Sequence, residues 1–175
     1  MDSKTEIRVK IRRLFLENRR QLPVLSKVIT KKLEVEDDFI SADTVALYWS
    51  LHDEVETHLL INKWYKHKRI LLPSIQDEII VLKEFTGQDK LKHGMTYHIP
   101  EPTSPVFDSF DAIDLIVTPG MAFDKENNRM GRGKGFYDRL LPNLKCKKIG
   151  ICYKFQVFDK IPSEPHDIKV DKLIY

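Results

Sequence analysis

The densest concentration of chemistry in the chain is Asn128-Arg-Met-Gly-Arg-Gly-Lys-Gly-Phe-Tyr-Asp138. Three of the seven glycines, Gly131, Gly133 and Gly135, alternate here with Arg132 and Lys134. Glycine lets the backbone take positive φ and bring its N–H groups close to a ligand, and successive N–H groups on such a loop form an anion-binding nest. Arg132 and Lys134 add the fixed positive charge that phosphate recognition uses. The spacing is not that of a Walker A loop, because Gly135 follows Lys134 where that motif has Ser or Thr, and it is not the dinucleotide fingerprint G-x-G-x-x-G. On spacing alone three readings stand: a phosphate cradle, a flexible basic turn, or a small RGG-like RNA contact. Asp138 also carries two readings: a carboxylate holding Mg²⁺ beside phosphates, or one complementing the positive end of a helix.

A second stretch, Trp49-Ser-Leu-His-Asp-Glu-Val-Glu-Thr57, places Glu54 and Glu56 in an acidic turn, with Asp53 or Thr57 available to cap a following helix. Two solvated acids before a helix explain it as well as a site does. The six histidines show no metal-ligand spacing, and His166 beside Asp167 reads as structural. Charge is uneven: residues 1–32 hold ten basic and three acidic side chains, a net +7 in a chain whose total is +3. Such a segment suits a nucleic acid, a membrane surface, a small polyanion, or simply a solvated helix face. Two cysteines, Cys146 and Cys152, are too few for a disulfide scaffold and fit a reducing compartment. No apolar run approaches the roughly 18 residues of a membrane span, and no apolar segment follows Met1 as in a secretory signal.

These residues need a scaffold, and the hydrophobic pattern supplies one. Ile7, Ile11, Leu14 and Phe15 predict an amphipathic helix over residues 4–20; Pro23 interrupts it, and Leu25, Val28, Ile29 and Leu33 give a second stripe. Residues 44–49 read as a buried strand, 57–67 as a helix, and 69–73 and 79–82 as strands. Residues 86–110 read as loop with a strand remnant at most. Residues 113–118 form a strong buried strand ended by Pro119-Gly120, followed by the glycine loop, a short helix to Leu141 and a strand at 149–153. Strands alternating with helices predict an α/β domain with a largely parallel sheet, the glycine loop lying beyond the carboxyl end of the 113–118 strand, where open α/β sheets bind ligands. A length of 175 residues, with no repeat or linker, suits one domain spanning 1–175.

Taken together, these segments resemble the 5-formyltetrahydrofolate cyclo-ligase family. The likeness runs nearly end to end through Lys4-x-x-x-Arg8, Asp53-Glu-Val-Glu-Thr57, Leu71-Leu-Pro73, Glu101-Pro102, Asp114-Leu-Ile-Val-x-Pro-Gly-Met-Ala-Phe-Asp124, the block from Asn128 to Asp138, and Pro162 to Asp171. The glycine-loop block is the specific part; the Lys4/Arg8 pair alone is weak. The resemblance implies a single three-layer α/β domain and an ATP- and Mg²⁺-dependent conversion of 5-formyltetrahydrofolate to 5,10-methenyltetrahydrofolate, with ADP and phosphate released. It implies ATP ligands at Lys4, Arg8, Arg129, Met130, Gly131, Arg132, Gly133, Lys134, Gly135, Phe136 and Tyr137, with Arg132 and Lys134 catalytic. It further implies folate contacts at Trp49, Glu54 and Tyr137, and Mg²⁺ ligands at Asp138 and Asp167. Asn127 stands where the family often has Gly, a position Asn tolerates if the turn is left-handed, and Met130 replaces a usual Leu. The expectation is therefore a cytoplasmic monomer acting on a small molecule, with no nucleic-acid or membrane partner.

Overall fold

The first helix starts where its sequence caps it. Ser3 Oγ accepts from Glu6 N–H at 3.3 Å and Glu6 accepts from Ser3 N–H at 2.7 Å, a reciprocal capping box that opens α1 (Lys4–Asn18). Ile7, Ile11 and Phe15 form its buried stripe. Pro23 stands in the first turn of α2 (Leu22–Glu34), where a missing N–H is harmless, so the break between the two helices is also the start of the second. The structure, a computed structural model, describes residues 2–94 and 98–175.

The remaining elements follow in chain order: α3 (Asp37–Ser41), β1 (Thr44–Ala46), α4 (His58–Trp64), β2 (Arg69–Gln76), β3 (Ile79–Glu84), β4 (Leu91–His93), β5 (Pro100–Pro102), β6 (Val106–Phe107), β7 (Leu115–Thr118), β8 (Ala122–Asp124), β9 (Arg129–Met130), α5 (Phe136–Leu140), β10 (Lys147–Ile151), β11 (Val157–Phe158) and β12 (Lys172–Ile174). The main sheet runs β12-β10-β7-β1-β2-β3-β6, with its first five strands parallel. Alternation within these strands sorts their side chains between two cores. Val45, Ile70, Leu72, Leu115 and Val117 pack with α1, α2 and α4, whereas Ala46, Leu71 and Ile116 pack with Leu140, Leu141 and Leu144. A sheet buried on both faces gives the expected three-layer α/β architecture. Among the described residues no helix is long and apolar enough to cross a membrane.

The structure departs from the expectation in particular places. The 44–49 strand ends at Ala46, and residues 47–49 leave the sheet toward the site. β3 runs antiparallel to β2, because a turn through Asp77 (φ 46°) and Glu78 (φ 63°) is too short for a parallel crossover. Residues 86–110 hold more than a strand remnant: β4 and β5 pair as a ribbon and β6 joins the edge of the sheet. A second small sheet, β11-β8-β9, carries Arg129 into the site. Its β8–β9 turn passes through Asn127 at φ 63°, so the left-handed position is kept without glycine. Asp124, fully buried, fastens that hairpin by accepting from the backbone N–H groups of Glu126, Asn128 and Ile161.

Candidate functional site

The chain leaves the carboxyl ends of β1, β2 and β7 at one edge of the sheet, and a cavity of about 130 Å³ opens there. Tyr48, Trp49 and Glu54 line it from the segment after β1, Ile75 from β2, and Met121 from the segment after β7. The glycine loop closes the other side with Arg132, Lys134, Gly135, Tyr137 and Asp138. The two stretches that stood out in the sequence therefore face each other across one space, at the position where open α/β sheets bind ligands. A bidentate contact joins them: Arg132 Nη1 and Nη2 donate to the Asp53 carboxylate at 3.0 and 2.5 Å, and Nη2 reaches Glu54 at 3.2 Å. Asp53 is thus a clamp and not the helix cap. Thr57 stands at the cap position without capping, because its hydroxyl donates to Tyr48 O.

The cations of the site divide into committed and free. Arg129, 2% exposed, donates to Asp138 at 2.6 Å and lies over the Tyr137 ring; its Nε–H has no acceptor among the described residues. Arg132 is committed to Asp53 and Glu54, and Lys4 to Asp167 at 2.7 Å and Glu164 at 3.1 Å. Arg8 has no carboxylate partner among the described residues: its Nε donates to Gly131 O at 3.1 Å, and its guanidinium lies against Gly133. Lys134 is exposed on the cavity rim, and no partner for its ammonium stands among the described residues. Gly133 (φ 103°) and Gly135 (φ 66°) take conformations that other residues rarely adopt, so this path needs glycine. α5 is only five residues long, which makes the loop and its cations, more than a helix dipole, the source of positive potential.

Opposite them, Trp49 stacks on His58 at 4.1 Å between ring centres and leans on Phe85 at 5.9 Å. Burial pushes the Glu54 carboxyl above its ordinary range; the Leu51 N–H and Arg132 oppose the shift without cancelling it. Burial also raises Asp53, but the Arg132 hydrogen bonds and charge outweigh it and leave Asp53 below its usual value. Tyr137 is pushed up, mainly by burial, and stays a neutral hydroxyl. Glu101 lines the cavity as well, accepting from Ser74 Oγ and from Ile75 N–H at 3.2 Å.

The candidate residues fall into three groups. Trp49, Glu54, Arg129, Gly131, Arg132, Lys134, Gly135, Phe136, Tyr137 and Asp138 line the cavity together. Lys4, Arg8 and Gly133 lie beside it: Arg8 joins the back of the loop through Gly131, and Lys4 joins the C-terminal segment through Asp167. The Met130 side chain is in the core, leaving only its backbone to a ligand. Asp138 and Asp167 are held by different cations, and Asp167 is not among the cavity's lining residues. Sequence reading missed Asp53 as a clamp, the Arg129–Asp138 pair, Tyr48 and Glu101; of these only Glu101 carried a signal, the Glu101-Pro102 pair.

The model of the 5-formyltetrahydrofolate cyclo-ligase family matches residues 1–175. The chain belongs to this family. Among enzymes bearing that name, the mouse protein is 28% identical over 187 residues, covering 98% of this chain and 91% of its own. The Haemophilus influenzae protein is 32% identical over 136 residues, covering 73% and 72%. The solved structure of Aquifex aeolicus 5,10-methenyltetrahydrofolate synthetase superposes with a TM-score of 0.84 at 34% identity, covering 98% of this chain and 88% of that one. That of a Mycoplasma pneumoniae 5,10-methenyltetrahydrofolate synthetase gives 0.76 at 26% identity, covering 99% and 98%.

Within this family member, Arg129 is a buried charge whose ion-pair partner is Asp138. Asp138→Ala is therefore expected to lower stability by about 3 kcal/mol, since removing one partner of a buried pair strands the other. Asp167→Ala leaves Lys4 with Glu164 and is expected to cost about 1 kcal/mol or less. Urea unfolding of the ligand-free protein measures both; equal and small losses contradict the assignment.

Proposed function

We propose that this protein converts 5-formyltetrahydrofolate to 5,10-methenyltetrahydrofolate at the expense of ATP, releasing ADP and phosphate. The observation that carries the proposal is the single cavity in which an aromatic and carboxylate wall faces a glycine loop whose Lys134 is uncompensated. Family membership and the names of the relatives support it.

The formyl group on N5 is an amide-like carbonyl that N10 cannot displace as water. Transfer of the γ-phosphoryl group makes a bond from the formyl oxygen to phosphorus and breaks the bond to the β-bridging oxygen of ADP. N10 then attacks the formyl carbon and loses its proton. The N5 lone pair drives out the carbon–oxygen bond, so inorganic phosphate departs with the formyl oxygen. The protein's part is alignment and charge neutralisation, the requirements of phosphoryl transfer. In this reading Glu54 accepts hydrogen bonds from the pterin, Trp49 and Tyr137 flank it, and the Gly131–Gly135 backbone with Arg8 and Lys134 holds the triphosphate. Arg132, braced by Asp53, stands between the two substrates. Lys4, anchored by Asp167, orients the nucleotide from the start of α1.

Mg²⁺ typically takes one or two carboxylates plus phosphate oxygens, and the donors here fit that pattern. Among the described residues no group of three or more His, Cys, Asp or Glu could hold a metal unaided. Asp138, however, commits Oδ1 to Arg129 and lines the cavity with its carboxylate. Asp138 would hold the ion, which would neutralise charge on the phosphates; Asp167, expected as a second carboxylate, is paired with Lys4 away from the cavity lining.

Methenyl product is followed by its near-ultraviolet absorbance after mixing protein, 5-formyltetrahydrofolate, ATP and Mg²⁺, with ATP omitted as control. ATP-dependent formation is expected; a flat trace from folded protein overturns the reading. Lys134→Ala should keep its fold and lose about 10²-fold or more in kcat, the scale of removing one preorganised charge, and a wild-type rate removes Lys134 from catalysis. Asp138→Asn should need more Mg²⁺ for half-maximal rate; an unchanged titration removes Asp138 from the metal role. Because burial raises Glu54, its protonation sets in at a pH above that of an ordinary glutamate. The folate kcat/KM should accordingly fall as pH drops through that raised value, a bend that Glu54→Gln lacks. The same bend in the variant assigns it to another group.

A further inference from the structure

Residues 47–57 carry Tyr48, Trp49, Asp53 and Glu54 to the site, yet they form neither helix nor strand. Their buried backbone N–H and C=O groups therefore lack the partners that regular structure supplies, and side chains must meet them. Over four consecutive residues that partner is a hydroxyl. Tyr153 donates to Glu54 O at 3.0 Å and Tyr48 to Val55 O at 3.1 Å, while Ser26 and Ser50 accept from the N–H groups of Glu56 at 3.0 Å and Thr57 at 3.2 Å. Tyr48 and Ser50 belong to the segment itself; Tyr153 and Ser26 come from elsewhere in the chain.

Tyr153 follows β10 and Ser26 lies on α2, and both are buried. Their side-chain oxygens are 2.7 Å apart. A phenol has one proton to give, and Tyr153 gives it to Glu54 O, so Ser26 is the donor between the two and accepts from Glu56 N–H in turn. Both hydroxyls are thus fully used, and a satisfied network in a dry interior rigidifies what it holds. The Tyr153 ring is itself fixed, stacked on Phe155 at 5.4 Å and edge-on to Phe15 at 5.6 Å between ring centres. At the other end of Glu54, its carboxylate accepts from the Leu51 N–H at 2.9 Å and from Arg132. Main chain and side chain of Glu54 are therefore held separately, the main chain by the two outside hydroxyls.

We propose that Tyr153 and Ser26 are positioning residues for Glu54: they hold its main chain so that its carboxylate meets the pterin in one orientation. The inference rests on the folate reading of the cavity, in which Glu54 accepts hydrogen bonds from the pterin, and adds two residues that act through Glu54. Neither of them lines the catalytic cavity. An acceptor set in advance gives up no freedom when the substrate arrives, whereas one on a loose turn must be ordered at that moment. The pair therefore strengthens folate binding and has no bearing on the glycine loop that faces ATP.

The test measures KM for 5-formyltetrahydrofolate and for ATP separately in the wild type, Tyr153→Phe, Ser26→Ala, the double variant and Glu54→Gln. Tyr153→Phe keeps the ring and its two aromatic contacts, and circular dichroism checks that each variant folds. It should raise the folate KM about tenfold, the scale of losing much of one hydrogen bond to a charged group, and leave the ATP KM within about twofold. Ser26→Ala keeps the Tyr153 bond to Glu54 O and should raise the folate KM only about threefold. The double variant should fall short of the product of the single effects, because bonded hydroxyls act as a unit. If Glu54→Gln raises the folate KM while the hydroxyl variants only melt earlier, or raise both KM values equally, the positioning role alone is overturned. If Glu54→Gln leaves the folate KM unchanged, Glu54 does not hold the pterin, and that part of the folate reading falls together with the positioning role.

Discussion

Everything at this site depends on Arg132 gripping Asp53. The two residues are 79 positions apart, one on the glycine loop and the other on the segment after β1, and their paired hydrogen bonds bring those segments face to face. Two parallel N–H···O bonds fix orientation as well as distance, which a lysine in place of Arg132 would not do. The contact also explains how two adjacent acids can sit on a partly buried turn: one guanidinium serves both Asp53 and Glu54. Without that charge, burial would push both carboxyls upward, and the turn carrying Trp49 and Glu54 would lose its reason to stay folded against the loop.

A second constraint is the division of positive charge. Arg129, Arg132 and Lys4 are neutralised within the protein, whereas Arg8 and Lys134 are not. Committed cations hold fixed positions and build the walls. Free ones leave positive charge uncompensated around the Gly131–Gly135 backbone. The basic residues of α1 divide in the same way, Arg8 reaching the glycine loop through Gly131 and Lys4 the C-terminal segment through Asp167.

Much of this was legible from sequence, and for physical reasons. The parallel strands are buried on both faces, so Leu115-Ile-Val-Thr118 reads as a continuous apolar run and its neighbours follow. Glycines at 131, 133 and 135 announce a backbone path, two of whose positions lie at positive φ. The strand expected at 79–82 is present as β3, and its antiparallel direction follows from the two-residue connection at Asp77-Glu78, too short for a crossover. β11 and β12 were not seen because strands of two and three residues carry no periodicity. The Asp53 clamp, the Arg129–Asp138 pair and Glu101 escaped because each contact is made only once the chain is folded. Asp53 beside a helix looks like a cap until Arg132 is brought to it, and Arg129 shows no sign in sequence that Asp138 stands against it.

The chemistry that these constraints favour is the meeting of a γ-phosphate and a formyl oxygen in one enclosed space. Its most direct test is the fate of that oxygen. With ¹⁸O in the formyl group of 5-formyltetrahydrofolate, a single turnover with ATP should place one labelled atom in the inorganic phosphate released, read by mass spectrometry or by the isotope shift in phosphorus magnetic resonance. Unlabelled phosphate, with the heavy oxygen recovered in water, would mean that the formyl oxygen leaves without ever being phosphorylated, and would contradict the account of the site given above.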